Sequence, residues 1–133
     1  MGKINVLISW TDNYGAYCNL VPGCVATHRT LEGVKQAFAE ALQVHIEGMI
    51  EDGDPVPTEL SGKYEIEFHL NIRALLHYTE KIVPRTALAR VSGINEKQLG
   101  HYATGWRNPR QNMQWKIVKG IHDIGRQLIS ISL

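Results

Sequence analysis

Residues Arg85 to Arg110 read RTALARVSGINEKQLGHYATGWRNPR, and the punctuation of this stretch decides the organisation of the C-terminal part. Pro84, just before it, suits a first helical position, where its missing N–H is no loss. Leu88 and Val91 recur at helical spacing, and Ala87 is small enough to let another helix approach. Gly93 is a turn residue that tolerates positive φ. Asn95 then fits an N-cap, because its side-chain oxygen accepts from the first unpaired N–H groups of the next helix. That helix is expected from Glu96 to Thr104, with Leu99 and Tyr102 or Ala103 inward and Gly105 as its stop. Two short helices around a tight turn predict a helix-turn-helix, whose second helix enters the DNA major groove.

In that arrangement Glu96, Lys97, Gln98 and His101 face away from the helical core and are the base-reading candidates. Gln pairs in two-point fashion with adenine, Lys with guanine, and Glu accepts from cytosine. Asn95, Arg107, Asn108 and Arg110, and Lys116 further on, are the candidates for phosphate contact, with Lys119 near them. The plain alternative is a helical core with solvated polar residues. The cap, turn, stop and flanking arginines together favour DNA.

Charge follows the same division. Residues 1–70 hold four Lys/Arg against ten Asp/Glu, a net of −6; residues 71–133 hold ten against three, a net of +7. These add to the overall +1. A basic half suits a phosphate backbone and an acidic half suits a basic protein. The 133 residues fit one domain or two small ones; we place domains at 1–70 and 71–133. No apolar run has transmembrane length, and the N-terminus MGKINVLISW has no signal-peptide cleavage pattern. The expectation is a cytoplasmic protein without membrane attachment, with Cys18 and Cys24 reduced.

The acidic half alternates. Lys3 to Trp10 is rich in Ile and Val and reads as a strand. Asp12, Asn13 and Gly15 make a turn into a returning strand, Tyr14 to Leu20. After Val21-Pro22-Gly23, Cys24 to His28 is a third strand. Thr30 caps a helix with apolar positions Leu31, Val34, Phe38, Ala41, Leu42, His45 and Met49, ending near Gly53. Gly33 stands where a capping box would want Glu. Asp54-Pro55-Val56-Pro57 is a stiff connection, and Lys63 to Leu70 alternates again as a strand. The prediction is a β-β-β-α-β layer, an antiparallel sheet on one helix, followed by an all-α domain: an α+β chain.

The run DNYGAYCNLVPGCVATHRTLEGVKQAFAEALQVHIEGMIEDGDPVP resembles the N-terminal domain of HicB-type antitoxins. That family has a D-x-x-G-x-Y hairpin, a P-G-C turn, a T-x-E helix start and an acidic-Gly-Pro exit. Asp12, Gly15, Tyr17, Pro22, Gly23, Cys24, Thr30, Glu32, Gly53 and Pro57 match it. GINEKQLGHYATGWRNP is similar to the helix-turn-helix version of the family, and Arg29 departs from its usual Gly or Asp. The resemblance implies a partial RNase H-like N-terminal domain and a lambda-repressor-like C-terminal domain. It implies an antitoxin that covers the active surface of a small basic HicA-like mRNA-cleaving toxin. It also implies an autorepressor that dimerises and binds operator DNA.

Catalysis is not expected. Two-metal nuclease chemistry needs converging carboxylates, and Lys3 to Trp10 carries none. Glu65 and Glu67 lie on the expected solvent face of one strand, and Asp12 lies in a turn. Cys18, Cys24 and His28 lack the paired spacing of a zinc site. EDGD at Glu51 to Asp54 lacks the rest of a calcium loop. No catalytic residue, metal or cofactor is assigned. A last helix is expected from Asn112 to Gln127, with Trp115, Ile117 or Val118, Ile121, Ile124 and Leu128 on its apolar side. The tail 129–133 alternates and reads as a short strand, paired with a second copy or with its own sheet. The expected partners are operator DNA, the toxin, and a second copy in a dimer or tetramer. The competing reading is a stand-alone transcription regulator whose N-terminal domain senses a ligand or dimerises.

Overall fold

The structure, a computed structural model, describes residues 1–133. Its elements run β1 (Gly2–Trp10), β2 (Tyr14–Tyr17), β3 (Val25–His28), α1 (Leu31–Glu51), a 3₁₀ turn (Thr58–Leu60), β4 (Tyr64–Leu70), α2 (Ile72–Thr79), α3 (Arg85–Ser92), α4 (Glu96–Thr104) and α5 (Gln111–Ile129). The fold is α+β, with one four-stranded mixed sheet and five α-helices. It divides into two compact units, Met1–Ala74 and Leu75–Leu133. The division falls inside α2 rather than at residue 70, because Ala74 is still part of the sheet core.

The first unit is built on β1. Ile4, Val6 and Ile8 alternate inward and are almost wholly buried, as a strand with one covered face requires. β1 pairs antiparallel with β2 (Leu7 opposite Tyr17) and parallel with β4 (Gly2 beside Tyr64, Ile8 beside Leu70), in the order β3-β2-β1-β4. The fully antiparallel sheet expected from sequence is therefore corrected. A parallel pair needs a long crossover, and the segment between β3 and β4, with its 21-residue helix, supplies one. The second and third strands are shorter than expected: β2 stops at Tyr17 and β3 begins at Val25. Between them Cys24 N–H donates to the Val21 carbonyl at 3.1 Å, closing the Pro22-Gly23 turn.

α1 starts as the sequence predicts. Thr30 Oγ1 accepts from Gly33 N–H at 3.0 Å. The buried stripe is Leu31, Val34, Phe38, Leu42 and Ile46. Ile46 replaces the expected His45 and Met49, which are half-buried, because i+4 from Leu42 lies nearer the centre of the face. Phe38 meets Phe68 edge-to-face at 6.4 Å, which ties the helix to β4. Full burial of each such side chain stabilises by about 1.5–3 kcal/mol. Glu51 to Asp54 is the helix exit, where Asp54 N–H reaches back to the Met49 carbonyl at 2.9 Å.

α2 was not anticipated. Asn71 caps it: its side-chain oxygen accepts from Ala74 N–H at 2.9 Å. In the second unit α3 packs on α4 and α5, around Leu88, Ile94, Leu99, Tyr102 and Ile117. α5 begins at Gln111 and continues to Ile129, so the strand expected over 129–133 is not formed. The amphipathic period of Ile117, Ile121 and Ile124 carries the helix past the short alternating tail. Trp115, expected on the apolar side, is 67% exposed. No helix is long and apolar enough to cross a membrane.

Candidate nucleic-acid interface

The segment singled out by sequence forms two short helices around a three-residue turn. Pro84 precedes α3, and its carbonyl accepts from Leu88 N–H at 3.2 Å. Gly93 ends α3 with φ 75°, a left-handed conformation that strains any residue with a Cβ. Asn95 Oδ1 accepts from Lys97 N–H at 2.8 Å and caps α4. Arg85 is tied into the unit: its Nε donates to Glu80 at 2.7 Å, and this bond and charge hold its guanidinium above the ordinary range.

Leu99 and Tyr102 turn inward, leaving Glu96 and Lys97 exposed. Gln98 and His101 are half-buried and engaged. Gln98 Nε2 donates to Tyr102 Oη at 2.6 Å, and the His101 ring meets Trp106 edge-to-face at 4.3 Å. Arg107, Asn108 and Arg110 are exposed. They surround a cleft of about 360 Å³ together with Gln98, Tyr102, Asn112 and Met113. Apart from His101, which packs on Trp106, the predicted residues thus separate into three places. Asn95, Glu96 and Lys97 stand at the start of α4; Gln98, Arg107, Asn108 and Arg110 share the cleft; Lys116 lies apart, on α5 with Trp115, Lys119, His122 and Arg126. Trp106 was missed by sequence reasoning, because its exposure depends on how the loop after α4 folds back.

This unit is basic. Residues 75–133 carry nine Lys/Arg, since Arg73 falls in the other unit, against three Asp/Glu, a net of +6. The cleft has two arginines and no carboxylate, so its chemistry is that of an anion contact. The same unit has an apolar hollow of about 170 Å³ lined by Ile82, Val83, Leu88, Ile121, Ile124 and Leu128, with Thr79 and Gly125. Ile82 and Leu128 are 64% and 58% exposed.

The sheet unit, with five Lys/Arg against ten Asp/Glu, has a net of −5. Its sheet face opposite the core carries Val25, Tyr17, Leu7 and His69 in register across four strands. The three apolar ones are all exposed. Beside them, Lys3 Nζ pairs with Glu67 at 2.8 Å and His69 Nε2 meets Asn5 Oδ1 at 3.0 Å. The other residues weighed from sequence sit elsewhere. His28 Nδ1 accepts from Thr30 N–H at 3.0 Å at the start of α1, while Cys18 and Cys24 are buried free thiols. Burial, and then the charge of Cys18, pushes the Cys24 thiol up from its ordinary value. No family model and no curated protein matches this chain.

Proposed function

We propose that this protein is a HicB-type antitoxin that also represses its own operon. The second unit is a lambda-repressor-like helix-turn-helix that binds operator DNA. The acidic sheet unit, a partial RNase H-like domain, neutralises a small basic HicA-like ribonuclease. The observation that carries the DNA half is the constellation on α4. A glycine turn and an asparagine cap present Lys97 at the start of α4, and the following loop brings Arg107 and Arg110 to a carboxylate-free cleft that Gln98 of the same helix also lines, in a unit of net charge +6. Of the four expected base readers, Glu96 and Lys97 stand exposed to read base edges, while Gln98 and His101 are held by Tyr102 and Trp106 and read only if released from them; Asn95, Arg107, Asn108, Arg110 and Lys116 grip phosphates.

Two half-sites need two reading heads, so the protein acts as a homodimer. The apolar hollow and the exposed Ile82 and Leu128 give the second copy a surface. The toxin half is supported by the net charge of −5 and the uncovered row Val25, Tyr17 and Leu7. An apolar row on a unit of net negative charge suits a basic protein.

The test is fluorescence anisotropy on the DNA upstream of the protein's own coding region, beside a shuffled duplex, at low and physiological salt. Preference for the upstream duplex that survives salt supports the repressor. Equal salt-sensitive binding, or none, refutes it. Co-expression with the product of a small basic neighbouring reading frame tests the antitoxin half. DNA preference without such a complex means a stand-alone regulator. Light scattering that returns a single-chain mass at micromolar concentration refutes the dimer.

A further inference from the structure

We infer that Trp106 is a DNA-contacting residue that packs its indole against the sugar–phosphate wall of the duplex and presets Arg107 for a phosphate. The inference rests on the operator-binding reading and adds to it a contact of a different kind, aromatic rather than hydrogen-bonding.

Trp106 is 68% exposed, so its ring is no part of the helical core. Its surroundings nevertheless fix it. Gly105, at φ 81°, reverses the chain at the end of α4. Arg107 N–H then donates to the His101 carbonyl at 3.2 Å, pinning the loop back on the helix. The indole is braced by the His101 ring at 4.3 Å, and the Arg107 guanidinium carbon lies 5.5 Å from the ring centroid. A large ring held this way offers contact area with little ordering left to do on binding. An Arg over an indole is attracted by the π face, while its N–H groups stay free for phosphate oxygens.

The neighbourhood selects the partner. His101 is on α4 itself, and the adjoining cleft presents Arg107, Arg110 and Asn108 with no carboxylate. A protein partner acidic enough to suit those arginines would have no phosphate wall against which to lay the ring. A duplex offers deoxyribose, thymine methyl groups and phosphates within one groove width.

The experiment measures anisotropy on the upstream duplex for wild type, Trp106→Ala, Trp106→Phe, Trp115→Phe and Arg107→Ala. Intrinsic tryptophan fluorescence during the DNA titration is recorded beside it. Trp106→Ala should weaken binding about tenfold or more, and Trp106→Phe should recover most of it. DNA should alter the tryptophan emission of wild type and of Trp115→Phe, and this response should vanish when Trp106→Phe is added to Trp115→Phe, because Trp115 neighbours Lys116 and is removed from the readout. The urea midpoint of Trp106→Ala should stay at the wild-type value, since the ring is exposed. Should that variant unfold, the emission response of the Trp106→Phe, Trp115→Phe double variant still decides. Wild-type affinity in Trp106→Ala, or an emission change that survives in the double variant, overturns the assignment. Loss in Arg107→Ala with none in Trp106→Ala sinks this inference alone. Failure of wild type to bind any duplex removes the operator reading, and this contact with it.

Discussion

The sheet unit and the helical unit differ in where they put their apolar side chains. Residues 1–74 bury fifteen hydrophobic residues almost completely, from Ile4 on β1 to Ala74 on α2. Residues 75–133 bury six, and leave Ile82, Leu128, Ile129 and Ile131 more than half exposed. The first unit closes a core within one chain: three β1 residues, two β2 residues and the α1 stripe meet face to face. The second packs the short α3 and α4 on the longer α5, and leaves an open apolar hollow beside Leu88 and Ile124. A small helical domain in that condition gains from burying the hollow against another surface. The contrast is one of core size: the sheet unit closes the larger core, although Val25, Val44 and Ile50 are also more than half exposed, and the helical unit closes the smaller one.

The sharpest way to break the comparison is to cut into both kinds of apolar residue. Phe38→Ala removes a fully buried ring from the α1–β4 contact and should cost about 3–5 kcal/mol of stability in urea unfolding. Ile129→Ala, at a residue 86% exposed, should change stability of the separated chain by less than about 0.5 kcal/mol. If it weakens self-association in light scattering instead, the exposed residues belong to an interface. Equal losses of stability from the two substitutions would contradict the division.

The next test is confined to the helical unit's turn. A Cβ at Gly93 would meet no heavy atom within 4 Å, so Gly93→Ala introduces no clash. Its effect comes from holding an L residue at φ 75°, about 1–2 kcal/mol. Urea unfolding should detect that loss, and a neutral result would mean that the turn relaxes. Below it in size stand the two side-chain caps, one in each unit. Thr30→Ala and Asn95→Ala should each cost about 1 kcal/mol. In DNA titrations Asn95→Ala should add an effect that Thr30→Ala lacks, because only Asn95 borders the proposed phosphate contacts.

These caps show what was legible in the chain before any coordinates. Thr30, Asn95, Gly93 and Gly105 act within four residues of themselves, so their roles can be read from the sequence. The capping-box position Gly33 was read as a missing Glu; in three dimensions a Cβ there would overlap the His28 ring. The direction of β4 was not legible, because alternation over Lys63 to Leu70 is identical for parallel and antiparallel neighbours. The tail failed for the opposite reason. Five alternating residues suggested a strand, and the longer helical period of α5 overrode them through Ile129. In the candidate interface the cap and the turn were readable. The engagement of Gln98 by Tyr102 and the bracing of Trp106 were not, since both need the folded geometry of α4 and its loop.

The smallest expected effect concerns acid, and it also separates the units. Burial lowers the pKa of His77 on α2 below its ordinary 6.5, and Lys81 adds to this by disfavouring a second positive charge; Glu80 opposes them more weakly. Well above pH 6.5 the imidazole is neutral in folded and unfolded chains alike and contributes nothing to pH dependence. As pH falls below 6.5 the unfolded chain takes up its proton first, so the folded state loses stability until His77 itself protonates. In the sheet unit the hydrogen bond and charge of Lys3 lower the Glu67 pKa below its ordinary 4.5. The small stabilisation from that exposed pair is present above 4.5 and is lost only as pH falls further. Acidification from pH 7.5 to 5.5 should therefore weaken the protein through His77 before Glu67 is involved. Urea unfolding at the two pH values should give a smaller difference for His77→Gln than for wild type. An unchanged difference would mean that His77 is as accessible to protons in the folded chain as in the unfolded one.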